Sequence, residues 1–310
     1  MSSDRPGTPR FAPADGVVEV RGLTKTFGPV RAVDDLSFTV QPGRVTGFLG
    51  PNGSGKTTTL RCLLGLVRPT SGRATIDGHA YAELDDPMRA VGGALEASGF
   101  HPGRTGRNHL RVLAAAAGLP DARADELLEF VGLAGAARRR VAEYSLGMRQ
   151  RLALATALIG KPGALLLDEP ANGLDPEGIA WLRTFLRARA AEGATVLVSS
   201  HALAEVQQTV DDVIIINKGQ LVHSGPLSDL AARHTARVIV RSPDADDLMA
   251  VLRDAGANAE ARSDGSWLVV GLAPEQIGHA AAVGRYELHQ LSPEPDALER
   301  LFLDMTGGLE

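Results

Sequence analysis

The residues GPNGSGKT at 50 to 57 combine spaced glycines with a lysine and a hydroxyl, a grouping suited to binding a polyphosphate. Gly50, Gly53 and Gly55 allow backbone N–H groups to turn inward and approach anionic oxygens with no Cβ in the way, and Pro51, Asn52 and Ser54 complete the loop. Lys56 would reach the outer phosphates and Thr57 would offer its hydroxyl to Mg²⁺. Thr58 continues into a helix whose positive N-terminal end faces the same anion. This is the pattern of a P-loop nucleotide site. Lysine occurs only at Lys25, Lys56, Lys161 and Lys218 in a chain whose other basic side chains are arginine. A compact ammonium fits between phosphates where a planar guanidinium would not.

A second constellation follows 112 residues after Lys56. ALLLDEP, at 164 to 170, is an apolar strand ending in two carboxylates. Asp168 at the strand end would hold the Mg²⁺ shell, and Glu169 would polarise an attacking water. In isolation, a strand running into an acidic helix start would look the same.

The loop, EYSLGMRQRLALATAL at 143 to 158, the DE pair, the turn ANGLDP and the segment SSHAL follow one another along the chain. Together they resemble the ATP-binding subunit of an ABC transporter over about residues 17 to 230. The resemblance implies that YSLGMRQR is the signature loop, in which Ser145 and Gly147 at a helix N-terminus bind the γ-phosphate held by a partner subunit. Leu146 and Met148 stand where glycine and glutamine are usual in the family, so altered peripheral contacts are expected. Taken alone, Ser145 also reads as an ordinary helix cap. His201 takes the place of the switch histidine that contacts the γ-phosphate, and Leu174 and Asp175 that of the loop crossing the dimer interface. Without the family, the latter pair is a plain turn.

Phe27 in LTKTFG matches the aromatic residue that stacks on adenine, with a buried core ring as the alternative. Glu96 falls where the family places a glutamine. It is expected to bind Mg²⁺ or its water with altered coupling, or else to be merely structural. The implied cofactors are ATP and Mg²⁺. The implied partners are a second copy in a head-to-tail dimer and separate membrane-spanning permease subunits. SLGMRQR, VGGALEASGFHPGRTGRNHL and ERLFLDMTGG look like the drug- and antibiotic-resistance exporter branch.

The elements around these residues must bring distant segments together. VVEVRG, LSFTV and VTGFLG read as strands separated by Gly28, Pro29, Pro42 and Gly43. TTTLRCLLGL, HLRVLAAAAGL, ADELLEFVGL and WLRTFLRARAA have helical spacing, and ALLLDEP, ATVLVSS and DVIIIN are strands. The expected fold is α/β. It has a P-loop NTPase (RecA-like) core with an antiparallel β subdomain and a helical insert at about 97–160, followed by a small C-terminal α+β domain. The expected boundaries are a mobile tail at 1–16, the ATPase domain at 17–230 and an accessory domain at 231–310. The accessory order of strand, helix, strand, strand, helix, strand and closing helix suggests a ferredoxin-like or related domain used for docking or dimerisation.

Composition narrows the remaining classes. A net charge of -5 argues against a surface built for nucleic acid, so no nucleic-acid partner is expected. One cysteine, Cys62, excludes an internal disulfide and any multi-cysteine metal site. No stretch approaches the roughly 20 apolar residues that cross a bilayer, and residues 1 to 16 lack a signal-peptide core. The expected location is cytoplasmic, peripheral on the inner face of the membrane through the permease. Arg138, Arg139 and Arg140 read as a solvated helix face or a partner for carboxylates, or else as a contact for a membrane partner or lipid head groups. Two other readings stay open: a soluble, non-transport ABC-type ATPase, and a regulatory module clamped by ATP without hydrolysis.

Overall fold

A computed structural model describes residues 16–95, 99–232, 237–294 and 297–307. The expected tail, but for Gly16, and Glu96 lie outside the described residues. The chain divides into two compact units, Met1–Gly225 and Pro226–Glu310. Among the described residues no helix is long and apolar enough to cross a membrane.

The first unit opens with β1 (Val18–Phe27), β2 (Val30–Val40) and β3 (Val45–Leu49), then α1 (Lys56–Leu63), β4 (Ser71–Ile76), α2 (Pro87–Ala90) and β5 (Val91–Ala94). The helical insert carries α3 (Gly106–Ala116), α4 (Ala122–Phe130) and α5 (Leu146–Ala157). The unit continues with β6 (Ala164–Leu167), α6 (Pro176–Ala191), β7 (Thr195–Ser200), α7 (Leu203–Val206), β8 (Asp212–Asn217) and β9 (Gln220–Pro226).

Two sheets pack here. β2-β1-β4 is antiparallel, and the other runs β5-β6-β7-β3-β8-β9, with parallel pairing from β5 through β8. Every residue of β3, β6 and β7 is buried, as expected of central strands covered on both faces. In the second half of β2, buried and exposed residues alternate, the mark of a sheet with one dry face. That dry face meets the parallel sheet where Phe38 and Phe48 pack with ring centroids 5.3 Å apart.

β7 lies between β3 and β6, so the carboxyl ends of three strands distant in sequence share one edge. Leu49 aligns with Ser200, and Leu167 aligns with Val198. Ligands bind at such carboxyl edges in open α/β sheets. Local chemistry sets the helix starts: Thr105 caps α3, Ser145 caps α5, and Asp175 caps α6 ahead of Pro176. Buried Arg123 of α4 donates to the carbonyls of Leu158 (2.7 Å) and Ile159 (3.2 Å), satisfying groups that the end of α5 leaves open.

Three expectations need adjustment. The helix after the loop stops at Leu63, and Gly65 takes a positive φ of 67° that a helix cannot hold. Arg138 to Arg140 are not on a helix. They form an exposed turn in which Arg140 bridges Thr105, and Arg139 pairs with Glu143 at 3.7 Å. In the second unit YELHQLS is extended only near its end, because Tyr286 and Leu288 pack against the core before the strand begins.

The second unit contains α8 (Leu227–Ala232), β10 (Arg237–Arg241), α9 (Ala245–Asp254), β11 (Asn258–Ala261), β12 (Trp267–Val270), α10 (Pro274–Gly284), β13 (Gln290–Pro293) and α11 (Ala297–Thr306). Its sheet runs β11-β12-β10-β13, antiparallel throughout, the order of a split βαβ arrangement. Val238, Val240, Leu248, Leu252, Val269 and Ile277 form its own core.

Candidate functional site

The loop after β3 is shaped by steric demands that only glycine meets. A Cβ on Gly50 would lie 2.3 Å from the Ile216 carbonyl oxygen. Gly55, at φ 108°, would place one 2.5 Å from the Ala32 carbonyl oxygen. α1 begins directly after Gly55, so its unpaired N–H groups open onto this loop.

Lys56 is only 6% exposed. Its Nζ donates to the carbonyls of Gly50 (2.6 Å) and Pro51 (3.3 Å) and sits 3.8 Å from Glu169 Oε1. Burial pushes the ammonium below its ordinary pKa, while Glu169 and Asp168 pull it back up.

Thr57 Oγ1 donates to Asp168 Oδ2 at 2.7 Å. Asp168 Oδ1 accepts from Ser199 Oγ, and the same Ser199 oxygen accepts the Glu169 N–H at 2.9 Å. Glu169 sits at φ +47°, uncommon outside glycine, and the Ser199 bond helps hold it there. Gln150 of α5 donates to the Glu169 carbonyl at 3.4 Å, linking the helix that Ser145 caps to the acidic pair.

The Glu169 carboxylate faces His201, with Oε2 3.0 Å from Nδ1. Burial raises the Glu169 pKa above its ordinary value, and the His201 hydrogen bond and charge, then Lys56, oppose that rise. Glu205 approaches the far side of the imidazole, with Oε1 3.9 Å from Nε2. Its other oxygen accepts from Ser200 Oγ.

Lys56, Thr57, Asp168, Glu169 and His201 therefore converge at one sheet edge: a cation, a hydroxyl, two carboxylates and an imidazole beside an amide-lined loop. Such a set can neutralise a polyphosphate and orient a water for in-line attack.

The other candidates lie elsewhere. Phe27 ends β1 with 48% of its surface exposed, which removes the buried-core alternative, and Lys25 Nζ sits 4.7 Å from its ring centroid. Ser145 does cap α5, with Oγ accepting the Met148 N–H at 3.2 Å. A Cβ on Gly147 would lie 2.7 Å from the Gly173 carbonyl oxygen, so the start of α5 packs directly on the ANGLDP turn. Leu146 beside it is exposed, and Asp175 caps α6 by accepting from the Gly178 N–H at 2.9 Å.

Ser199, Ser200, Gln150 and Glu205 escaped the sequence reading. The signal available for three of them was SSHALAE itself: two hydroxyls at a buried strand end and a carboxylate one helical turn beyond the histidine.

Residues 33–172 match the ABC transporter family, and residues 236–299 match a domain of unknown function. The chain is 42% identical over 221 residues to the bacitracin transport ATP-binding protein BcrA of Bacillus licheniformis, covering 70% of this chain and 72% of that one. It is 35% identical to the Nod factor export ATP-binding protein I of Paraburkholderia xenovorans, over 94% of this chain and 98% of that one. A solved ATP-binding subunit of an ABC transporter superposes with a TM-score of 0.64 at 29% identity, covering 70% of this chain and 92% of that chain.

Proposed function

The chain belongs to the family of ABC transporter ATP-binding proteins, and from that premise we propose that it powers an exporter by closing as a head-to-tail pair around ATP. Its activity is ATP hydrolysis, used to drive a separate membrane permease. The observation that carries the catalytic assignment is the junction of Lys56, Glu169 and His201, spaced at 3.8 Å and 3.0 Å.

In this reading Lys56 exchanges the Gly50 and Pro51 carbonyls for the outer phosphate oxygens. Glu169 orients and polarises the attacking water. His201 leaves Glu169 to donate to the γ-phosphate, and Phe27 gives adenine an exposed ring on which to stack. The adjacent oxygens of Thr57 and Asp168 are hard donors of the kind that Mg²⁺ takes. When bound there, the ion would offset phosphate charge.

Ser145 and Gly147, at the α5 N-terminus, serve the phosphate held by the second copy, and Asp175 lies on the turn packed beside them. The dimer and these roles follow from the family resemblance, supported by the exposure of Leu146 beside Ser145. Similarity to export and antibiotic-transport subunits supports outward movement of a drug, antibiotic, peptide or lipid.

The test is the ATPase rate of the purified chain against protein concentration, with and without Mg²⁺, beside a Glu169→Gln variant on a sizing column with ATP. A rate rising faster than linearly, a Mg²⁺ requirement and an ATP-dependent dimer of the variant support the reading. Normal turnover by Glu169→Gln refutes it.

A further inference from the structure

We propose that Glu205 is a positioning residue for His201, holding the imidazole so that Nε2 carries the hydrogen it must donate to the γ-phosphate. The inference rests on the role given to His201 above.

The geometry begins at the end of β7, where consecutive side chains serve different carboxylates. Ser199 Oγ donates to Asp168, Ser200 Oγ donates to Glu205, and His201 Nδ1 meets Glu169. Glu205 is thus anchored by a residue that takes no part in phosphate binding. Ser200 is itself held by the turn, its Oγ accepting the Ala202 N–H at 3.1 Å.

Glu205 is four residues after His201, which sets its carboxylate against the outer edge of the ring at 3.9 Å from Nε2. That is too long for a direct hydrogen bond. It is close enough for an anion to disfavour a bare nitrogen lone pair and favour an N–H facing it. One atom each from Glu169, His201 and Glu205 lies within 4.8 Å of the others, so the ring is flanked by a carboxylate on each nitrogen side. Glu169 on Nδ1 stands where a carboxylate orients a working histidine through its second nitrogen, whereas Glu205 faces the nitrogen that works. Once His201 leaves Glu169, a neutral ring has one hydrogen to place, and the Glu205 carboxylate facing Nε2 favours it there; with the hydrogen left on Nδ1, Nε2 would be an acceptor that repels phosphate.

The experiment measures steady-state ATPase for the full chain and for Glu205→Gln, His201→Ala and the double variant, with ¹⁵N spectra of the His201 ring. Glu205→Gln keeps an oxygen for Ser200 and removes the charge. The expected result is a fall in kcat of about tenfold with little change in KM, altered His201 ring nitrogen shifts, and no further loss when Glu205→Gln is added to His201→Ala.

If His201→Ala is severely impaired while Glu205→Gln runs at the parent rate, or the two losses add independently, this inference alone is overturned. If His201→Ala is fully active, the His201 role falls and this inference with it. A Glu205→Gln variant whose melting temperature drops while its His201 spectrum stays unchanged marks a purely structural residue and also overturns it.

Discussion

Thr57 Oγ1 donates a hydrogen bond to Asp168 Oδ2 at 2.7 Å, across 111 positions of sequence. That bond ties the first turn of α1 to the end of β6, and β7 completes the connection because Ser199 reaches the other Asp168 oxygen. The phosphate loop and the acidic pair are therefore one hydrogen-bonded assembly whose parts arrive from three strands.

Ser199 is 1% exposed and serves two groups at once. Ser199→Ala leaves an Asp168 oxygen and the Glu169 N–H without their partner. A buried polar group left unsatisfied costs about 1–3 kcal/mol. The expected result is a lower denaturant midpoint together with a loss of Mg²⁺-dependent ATPase, read by urea unfolding and phosphate release.

Gly55→Ala asks an L side chain to adopt φ 108° and to place Cβ 2.5 Å from a backbone carbonyl. The conformation alone costs about 1–3 kcal/mol. The loop would have to move, so binding of a fluorescent ATP analogue should be lost while the second unit's core stays folded. Unchanged affinity would show that the loop's backbone geometry is not what holds phosphate.

Phe27→Ala removes an exposed ring, so stability should barely change. Base stacking on an aromatic ring contributes about 1–3 kcal/mol. KM for ATP should rise by about tenfold with kcat nearly constant. A drop in kcat at unchanged KM would place Phe27 outside the adenine contact.

His109 holds α3 to α5 through Thr156, with Nε2 donating to Oγ1 at 3.1 Å, since that hydroxyl already donates to the Leu152 carbonyl. Burial, then the charge of Arg104, keeps its pKa below the usual 6.5. The folded state therefore binds fewer protons here than the unfolded state, so the neutral ring's stability is present above 6.5 and lost as pH falls through the lower folded value. Chemical unfolding at about pH 8 and about pH 5 should show this loss, and His109→Gln should reduce it.

Much of the site was legible because its chemistry is written in contiguous residues. The glycine spacing before Lys56, the apolar run ending in Asp168 and Glu169, and the ring of Phe27 after a β pattern are local features. So is the start signal of α5, where Ser145 caps with its own side chain. Less legible were places where packing overrode a pattern. The Arg138 to Arg140 run lies in a turn because Arg140 bridges Thr105 and the Gly106 and Arg107 N–H groups bond the carbonyls of Arg139 and Ala137. Periodicity over a few residues carries no trace of such a distant partner.

Residue type and short spacing are enough to place a phosphate loop, an acidic strand end and a strand-terminal histidine along the chain, since backbone freedom, charge and strand burial follow from them. Their meeting is a matter of the fold. Parallel pairing joins strands far apart in the chain, and nothing in the local pattern of β7 says that it enters between β3 and β6. That placement turns Ser199 toward Asp168 and His201 toward Glu169, both just after β6, while Ser200 between them points the other way to Glu205 on α7, because successive side chains at a strand end point in alternating directions.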